Sequence, residues 1–169
     1  DLVAVHVASD FARNGFDVVV PAAQGCCGAL HTHAGDPGAA NDLARRNIDV
    51  FGAASVDAVV VNSAGCGAAM REAGHALPGI GEPFAAAVRD VCEFLDGAGL
   101  RPPAGRVEGR VCYDDPCHLV HGQGVRDAPR RLLAQIPGLT LVLHDDPTSC
   151  CGAAGIYNLT HREMSRAVL

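Results

Sequence analysis

Short apolar runs alternate along this chain with longer segments whose apolar residues recur at helical spacing. The pattern predicts helices over residues 3–14, 37–51, 83–95, 125–136 and 160–169. It predicts strands over residues 17–20, 57–62, 110–113 and 139–144. This alternation favours an α/β fold with a mostly parallel sheet and flanking helices.

A segment rich in glycine and proline, residues 97–109, is the strongest linker signal in the chain. It predicts a first lobe over residues 1–96 and a second lobe over residues 110–169. Cysteine-bearing loops follow predicted strands, among them a glycine-flanked turn at residues 63–67 that holds Cys66, and we expect them at the carboxyl ends of those strands. Ligands commonly gather at that edge of an open α/β sheet.

Composition argues against several classes of function for this chain, nucleic-acid binding and membrane spanning among them. The net charge is −6 and no basic run interleaves with aromatic residues, so nucleic acid is not an expected partner. No apolar stretch approaches the ~18 residues of a membrane span. The chain starts without Met or a signal-peptide pattern, and we interpret it as a soluble cytosolic protein or a piece of a longer one. Its eight cysteines are then expected as reduced, functional thiols.

The tripeptide Cys-Cys-Gly occurs twice, at residues 26–28 and 150–152. Adjacent thiols suit neither core packing nor an ordinary disulfide framework. Soft thiolates select zinc, copper(I) or iron–sulfur clusters. Zinc sites usually space their cysteines two to four residues apart, whereas adjacent thiolates can reach different irons of a cluster. The pattern favours iron–sulfur, and leaves zinc, redox-active thiols and structural cysteines as alternatives.

The two motifs are offset by 124 residues, and the segments before them align at that offset without a gap. The chain therefore contains two copies of one unit. Cys117 lies upstream of the second pair and Cys66 lies downstream of the first, and each lacks a counterpart in the other copy. We expect a fragment in which each site lacks at least one ligand.

Other candidate residues have simpler interpretations. Cys92 in a helix and Cys112 in a strand are predicted to be buried packing cysteines. Ser63 stands where a Cys-x-x-Cys ending at Cys66 would place its first thiol, and is either a turn residue or a replaced ligand. Asp114 and Asp115 are predicted to form a turn before a proline. Four histidines could ligate metal, donate to sulfur or relay protons, or simply cap loops: His31, His33, His118 and His121.

The chain resembles the cysteine-rich (CCG) region of glycolate oxidase iron–sulfur subunits. The segments that carry the resemblance are GCCGALHTHAGD at 25–36, VVVNSAGCGAAMREAG at 59–74, DDPCHLVHGQGVRDAPRRLL at 114–133 and CCGAAGIYNLT at 150–160. More distantly, the unit is similar to the cysteine-rich subunit of heterodisulfide reductase and to the iron–sulfur protein of lactate utilisation. Two departures stand out, because Ser63 replaces a cysteine and Asp114 stands where this subunit often has His.

The resemblance implies that each lobe ligates an iron–sulfur cluster of the [4Fe-4S] type, and it leaves a non-cubane variant open for the second lobe only. The implied ligands are Cys26, Cys27 and Cys66 in the first lobe, and Cys117, Cys150 and Cys151 in the second. It implies FAD on a partner subunit that oxidises glycolate, and quinone as the eventual acceptor. It also implies peripheral association with the inner face of the cell membrane through that complex. A heterodisulfide-reductase-like catalyst and a zinc-stabilised interaction module are the rival functions.

Overall fold

The computed structural model describes residues 2–101 and 103–169, with side chains from residue 7 onward. The helices are α1 (Leu2–Arg13), α2 (Ala29–His33), α3 (Pro37–Ala54), α4 (Ala64–Ala76), α5 (Gly81–Ala87), α6 (Val91–Ala98), α7 (Ala128–Ala134), α8 (Tyr157–Thr160) and α9 (Arg162–Val168). The strands are β1 (Val59–Val61), β2 (Val88–Asp90), β3 (Gly109–Cys112) and β4 (Leu139–Val142). A π-helical turn, His118–Gly122, follows Cys117.

The strands form two sheets of two strands each, and both are parallel. Val60 of β1 lies opposite Arg89 of β2, and Val111 of β3 lies opposite Leu141 of β4. Helices flank each sheet, because parallel strands need a crossover connection between them. The α/β fold with a small parallel sheet in each of two lobes is thus confirmed.

The predicted strand at residues 17–20 is wrong. Val18, Val19 and Val20 belong to no sheet, and they are 40%, 56% and 65% exposed. An apolar run forms a strand only where a second strand accepts its backbone hydrogen bonds. In the described part of the chain, β1 pairs with β2 and leaves this segment without a strand partner.

The single helix predicted over residues 83–95 is also wrong. The chain passes from α5 into β2, in which Val88 is fully buried, and a new helix then begins at Val91. The restart is a capping box: the Asp90 side chain accepts a hydrogen bond from the Cys92 amide at 2.8 Å, and the Glu93 side chain accepts one from the Asp90 amide at 3.3 Å. Tertiary burial of a β-branched residue overrides the helical pattern here.

Element boundaries differ in smaller ways. Helix α3 starts as predicted, with Asp36 capping the Ala39 amide, but it continues through Gly52 and ends at Ser55 in a left-handed conformation. Helix α7 is shorter than the predicted 125–136. Among the described residues, none of the helices combines the length and apolar content that crossing a membrane requires.

The larger core lies between α3, α4, α5 and the first sheet. Its buried members are Val59, Met70, Ala73, Phe84 and Val88, and Cys27 packs against them. A smaller cluster of Leu119, Val125 and Ala128 contacts Ala64 of α4. The second cluster therefore joins the second lobe to the helix that carries Cys66.

Candidate metal centres

In the first Cys-Cys-Gly loop, a backbone amide points toward the sulfur of the first cysteine. The Gly28 amide donates to Cys26 Sγ at 3.5 Å, and Gly28 has a φ of +83°. A Cβ at Gly28 would lie 3.0 Å from the Ala40 carbonyl oxygen of α3. Both the left-handed backbone and the close approach require glycine, so the third residue of the motif shapes the loop around the thiols.

Asn47 of α3 fixes the same loop through side-chain hydrogen bonds to its backbone. Its side chain is 2% exposed, accepts from the Gly25 amide at 2.9 Å, and donates to the Cys26 carbonyl at 3.1 Å and the Gly25 carbonyl at 3.4 Å. A buried amide that meets three backbone groups fixes the loop on the helix. The long helix α3 is thus the rigid support of Cys26 and Cys27.

Cys66 reaches this loop from a helix. The prediction of a glycine-flanked turn at Cys66 is wrong, because α4 begins at Ala64 and holds Cys66 in its first turn. Ser63 occupies the N-cap position without capping through its side chain. The Cys66 thiol lies close enough to the half-buried Cys27 to influence its pKa. Burial raises the pKa of Cys27 to about 11, opposed by the Ala29 amide and reinforced by Cys66.

The second Cys-Cys-Gly loop repeats the first. The Gly152 amide donates to Cys150 Sγ at 3.4 Å, and Gly152 has a φ of +67°. A Cβ at Gly152 would lie 2.5 Å from the Ser165 carbonyl oxygen of α9, and the Ser165 hydroxyl donates to the Gly152 carbonyl at 2.9 Å. Cys150 and Cys151 are both exposed. The internal repeat inferred from sequence thus extends to the geometry of both loops.

Histidines from the two lobes meet between these loops. The rings of His33 and His118 are 5.6 Å apart, and Cys117 Sγ lies 3.8 Å from His118 Nδ1. A Cβ at Gly155 would lie 2.9 Å from the His33 side chain. His31 lies 4.0 Å from Asp36 instead, and His121 is exposed in the π-helical turn. The contacts therefore favour His33 and His118 over the other two as neighbours of the thiols.

A cavity much larger than one metal ion lies beside one candidate thiol of the first lobe, Cys27. All eight cysteines are free thiols. The cavity of about 660 Å³, with alanine as the commonest lining residue, lies against Cys27, His33 and His118. A water molecule's share of liquid volume is roughly 30 Å³. Among residues 2–101 and 103–169, no three His, Cys, Asp or Glu side chains converge as they would on one metal ion.

The two cysteines set aside as packing residues behave differently. Cys92 is half-buried against the cluster of Leu119, Val125 and Ala128, and burial beside Asp90 and Asp96 raises its pKa to about 11. Cys112 lies in β3 but is exposed, so its predicted burial is wrong. Most of β3 is exposed and only Val111 is partly buried, so the strand gives Cys112 no core to pack into.

Several supporting residues escaped sequence reasoning. Gln123 of the second lobe is 8% exposed and donates to the Ala64 carbonyl at the start of α4 at 2.9 Å. Arg71 of α4 donates to the Gln123 carbonyl at 2.9 Å and to the Val88 carbonyl at 3.2 Å. No local signal marks the contacts with Gln123, because they join residues about fifty positions apart.

Asp115 is more than the turn residue predicted from its place before Pro116. Its side chain is 8% exposed and accepts two hydrogen bonds from the Arg130 guanidinium, at 2.7 and 3.0 Å. The same guanidinium stacks over the Tyr113 ring. This paired arrangement anchors the segment before Cys117 to α7.

Comparison with known proteins agrees with this architecture. The family model for a cysteine-rich domain, CCG, matches residues 7–71 and again residues 111–169. The first match contains Cys26, Cys27 and Cys66, and the second contains Cys117, Cys150 and Cys151. The two matches independently support the duplicated unit.

The chain is 38% identical over 92% of its length to the "Probable glycolate oxidase iron-sulfur subunit" of Bacillus subtilis. It is 37% identical over 85% of its length to a "Fumarate reductase (CoM/CoB)" subunit of Methanothermobacter marburgensis, and 32% identical over 93% to "Lactate utilization protein A" of Geobacillus kaustophilus.

The chain spans 37%, 28% and 68% of the lengths of these three relatives, respectively. No solved structure matches the chain significantly. The family model covers most of the chain, in two copies that each contain a Cys-Cys-Gly loop. The chain therefore belongs to the CCG family of cysteine-rich domains.

Proposed function

We propose that the two Cys-Cys-Gly loops are parts of iron–sulfur cluster sites, with Cys26, Cys27 and Cys66 in one and Cys117, Cys150 and Cys151 in the other. The observation that carries the proposal is the recurrence of one geometry, a glycine amide aimed at the sulfur of the first cysteine, at 3.5 Å and 3.4 Å. Hydrogen bonds to cysteine sulfur and local burial are the means by which proteins tune cluster potentials.

The chain's own residues would bind and tune such a group. The thiolates supply the ligands, the Gly28 and Gly152 amides stabilise negative charge on sulfur, and α3 with Asn47 keeps the first loop in place. A bound cluster, which we propose to be of the [4Fe-4S] type, would supply one-electron redox chemistry. The half-buried Cys27 and the exposed Cys151 predict unlike surroundings for the two sites.

The larger function we propose is that of an iron–sulfur electron-transfer subunit in a flavin-dependent 2-hydroxy-acid dehydrogenase. FAD on a partner subunit would oxidise glycolate to glyoxylate, and the electron pair would pass through this subunit toward quinone. The names of the Bacillus subtilis and Geobacillus kaustophilus relatives support this role. Electron delivery to a membrane quinone would place the complex on the inner face of the cell membrane.

A second candidate is thiol–disulfide redox chemistry of the heterodisulfide-reductase kind. The similarity to the CoM/CoB-dependent fumarate reductase favours it, as does the cavity that reaches Cys27. Redox turnover of a thiol substrate without a flavin-bearing partner would support this candidate. Turnover that depends strictly on such a partner would support the first.

Anaerobic reconstitution with iron and sulfide tests the cluster proposal. Cys27→Ser should lower the iron bound per chain and weaken the broad charge-transfer absorption, because it removes the half-buried thiolate beside Cys66. Cys112→Ser, which removes an exposed thiol outside both loops, is the matched control and should leave both signals unchanged.

Metal analysis of the same samples covers the zinc alternative. Colourless protein that retains zinc through reconstitution would contradict the cluster proposal. An equal loss of iron in Cys27→Ser and Cys112→Ser would contradict the assignment of ligands, since it would show that thiol number alone governs binding.

A further inference from the structure

Helix α4 begins without a side-chain cap for its first turn. Within the described part of the chain, Ser63 occupies the N-cap position but its side chain makes no capping hydrogen bond. Cys66 is the third residue of this helix, in a turn whose amides have no intrahelical partners. A helix start that lacks a cap is weakly held by its own sequence. Support for the position of Cys66 therefore has to come from another part of the chain.

Gln123 of the second lobe contacts this turn on both sides of Cys66. Its Nε2 donates to the Ala64 carbonyl at 2.9 Å. A Cβ built at Gly67 would lie 2.6 Å from Nε2 and 2.8 Å from Oε1, so the amide packs directly against the glycine that follows Cys66. Gln123 is 8% exposed. A buried side chain from the second lobe thus brackets a candidate thiol of the first.

The backbone of Gln123 is itself anchored to the first lobe. Arg71 donates to the Gln123 carbonyl at 2.9 Å and to the Val88 carbonyl at 3.2 Å, which ties Gln123 to the larger core. Gln123 also follows directly on the π-helical turn that begins after Cys117. One turn of five residues therefore separates a proposed ligand of the second site from the residue that contacts the first site.

Overall stability does not require a glutamine at this position. Among the residues that the structure describes, the buried Oε1 of Gln123 has no hydrogen-bond partner. A buried polar atom without a partner is unfavourable, and an apolar side chain of similar size would avoid it. The Ala64 carbonyl also faces the amide four residues further on, as in any α-helix. The bond from Gln123 is thus an addition to the first turn of α4 that the helix does not need for its own hydrogen bonding.

We propose that Gln123 is a positioning residue of the first site, which holds the Cys66 thiol in place from the second lobe. The inference rests on the proposed function for the purpose of that thiol, whereas the position of the thiol is measurable without any cluster. It makes the arrangement of ligands in one lobe dependent on a side chain of the other.

Gln123→Met tests the inference in the cluster-free chain, because it keeps the size of the side chain and removes the amide. The eight thiols are alkylated with iodoacetamide under reducing conditions, and mass spectrometry gives a rate for each. Cys66 should react at least about threefold faster than in the parent, because the first turn of α4 opens locally. The rates of Cys112 and Cys150 and the urea midpoint should stay close to those of the parent.

Gly67→Ala displaces the same amide from the opposite side and provides a second variant. Its Cβ would meet the end of a flexible side chain, and alanine favours a helix over glycine, so this variant is expected to fold even where Gln123→Met does not. Cys66 should again react faster. Ser165→Ala, which removes one hydrogen bond in the second lobe, is the matched control and should leave the Cys66 rate unchanged.

Reconstitution with iron and sulfide separates the inference from the proposed function. Clusters in the parent should protect the thiols of both sites from alkylation, and Gln123→Met should lose protection at Cys66 while it keeps protection at Cys150 and Cys151. An unprotected parent would contradict the proposed function, and the cluster-free rates would still decide the position of Cys66.

Three results would overturn the inference. The first is a Cys66 rate that changes in neither variant of the cluster-free chain. The second is an equal acceleration at Cys66 and Cys112, which a general loss of structure explains. The third is an equal loss of cluster protection at Cys66 and Cys150 in Gln123→Met, because Gln123 would then support the whole chain and not the first site.

Discussion

The first and second lobes carry the same cysteine loop on different supports. In the first, the loop rests on α3, a helix of 18 residues, and Cys27 packs against the larger core. In the second, the loop rests on α9, a helix of 7 residues, and Cys150 and Cys151 are exposed. The amide-to-sulfur distances nevertheless differ by only 0.1 Å. The local sequence thus sets the loop geometry, and the support sets how strongly it is held.

The two loops also differ in the number of hydrogen bonds that they receive from the supporting helix. Asn47 meets three backbone groups of the first loop, whereas Ser165 meets the second through one hydroxyl. Gln123 and Arg71 connect the lobes at α4, the helix of Cys66. The first site therefore depends on residues of both lobes, which is the reason to perturb the lobes separately.

Replacing the motif glycines should give the largest effects. Gly28→Ala combines a left-handed backbone, about 1–2 kcal/mol, with overpacking against Ala40, about 1–3 kcal/mol. Because Ala40 is buried and α3 packs on the larger core, we expect the free energy of unfolding to fall by about 2–5 kcal/mol in urea titration. Gly35→Ala, with a φ of +81° and open space around it, is the control and should lose only the backbone part.

The counterpart Gly152→Ala should act locally. Its Cβ would come within 2.5 Å of the Ser165 backbone, but α9 lies at the surface and can move away. Hydrogen exchange in residues 162–168 should accelerate while the global unfolding free energy changes less than in Gly28→Ala. Gly124→Ala serves as the control in this lobe. Equal global losses at Gly28 and Gly152 would show that α3 and α9 are equally rigid supports.

Replacing the side chains that hold the loops should lower the unfolding free energy by less than replacing the glycines, and again by more in the first lobe than in the second. Asn47→Ala removes three hydrogen bonds between a buried side chain and the backbone of Gly25 and Cys26, and should lower the unfolding free energy by about 2 kcal/mol. Ser165→Ala removes one hydrogen bond and should cost about 1 kcal/mol. Asp49→Ala, an exposed change on α3, is the control for helix propensity. If urea titration gave the same loss of unfolding free energy for Asn47→Ala and Ser165→Ala, the two loops would be held equally strongly, which would contradict the proposed difference.

The loops were predictable from sequence because their chemistry is local. Two adjacent cysteines followed by glycine specify a left-handed residue after two thiols, and the offset of 124 revealed the duplication. The start of α3 is equally local, because Asp36 caps the Ala39 amide and Pro37 is the first helical residue. The assignment of six cysteines as ligands and the boundaries of the lobes at 96 and 110 remain predictions.

What sequence reasoning missed depends on distant partners. Val88–Asp90 has a helical pattern but is a strand, because β1 lies beside it. Val18–Val20 has a strand pattern but no neighbour among the described residues with which to pair. Cys112 was expected to be buried, yet its sheet has only two strands in the described part of the chain. In each case the deciding contact lies outside the window that a periodicity can sample.

The smallest expected effect concerns the pH dependence of stability, because the lobes differ in how they hold a buried carboxyl group. Asp90 in the first lobe is 4% exposed, and burial raises its pKa above the ordinary value, opposed by the Cys92 and Glu93 amides. Asp115 in the second lobe is paired with Arg130 instead. A folded state with a raised carboxyl pKa binds more protons than the unfolded state, so this group lowers stability as pH rises through the window above its unfolded pKa. Asp90→Asn keeps an acceptor for the Cys92 amide and removes that titration. Its unfolding free energy relative to the parent should therefore rise between acid and neutral pH in urea titrations. A difference that stays flat for Asp90→Asn, or falls with pH, would show that burial does not penalise the Asp90 carboxylate.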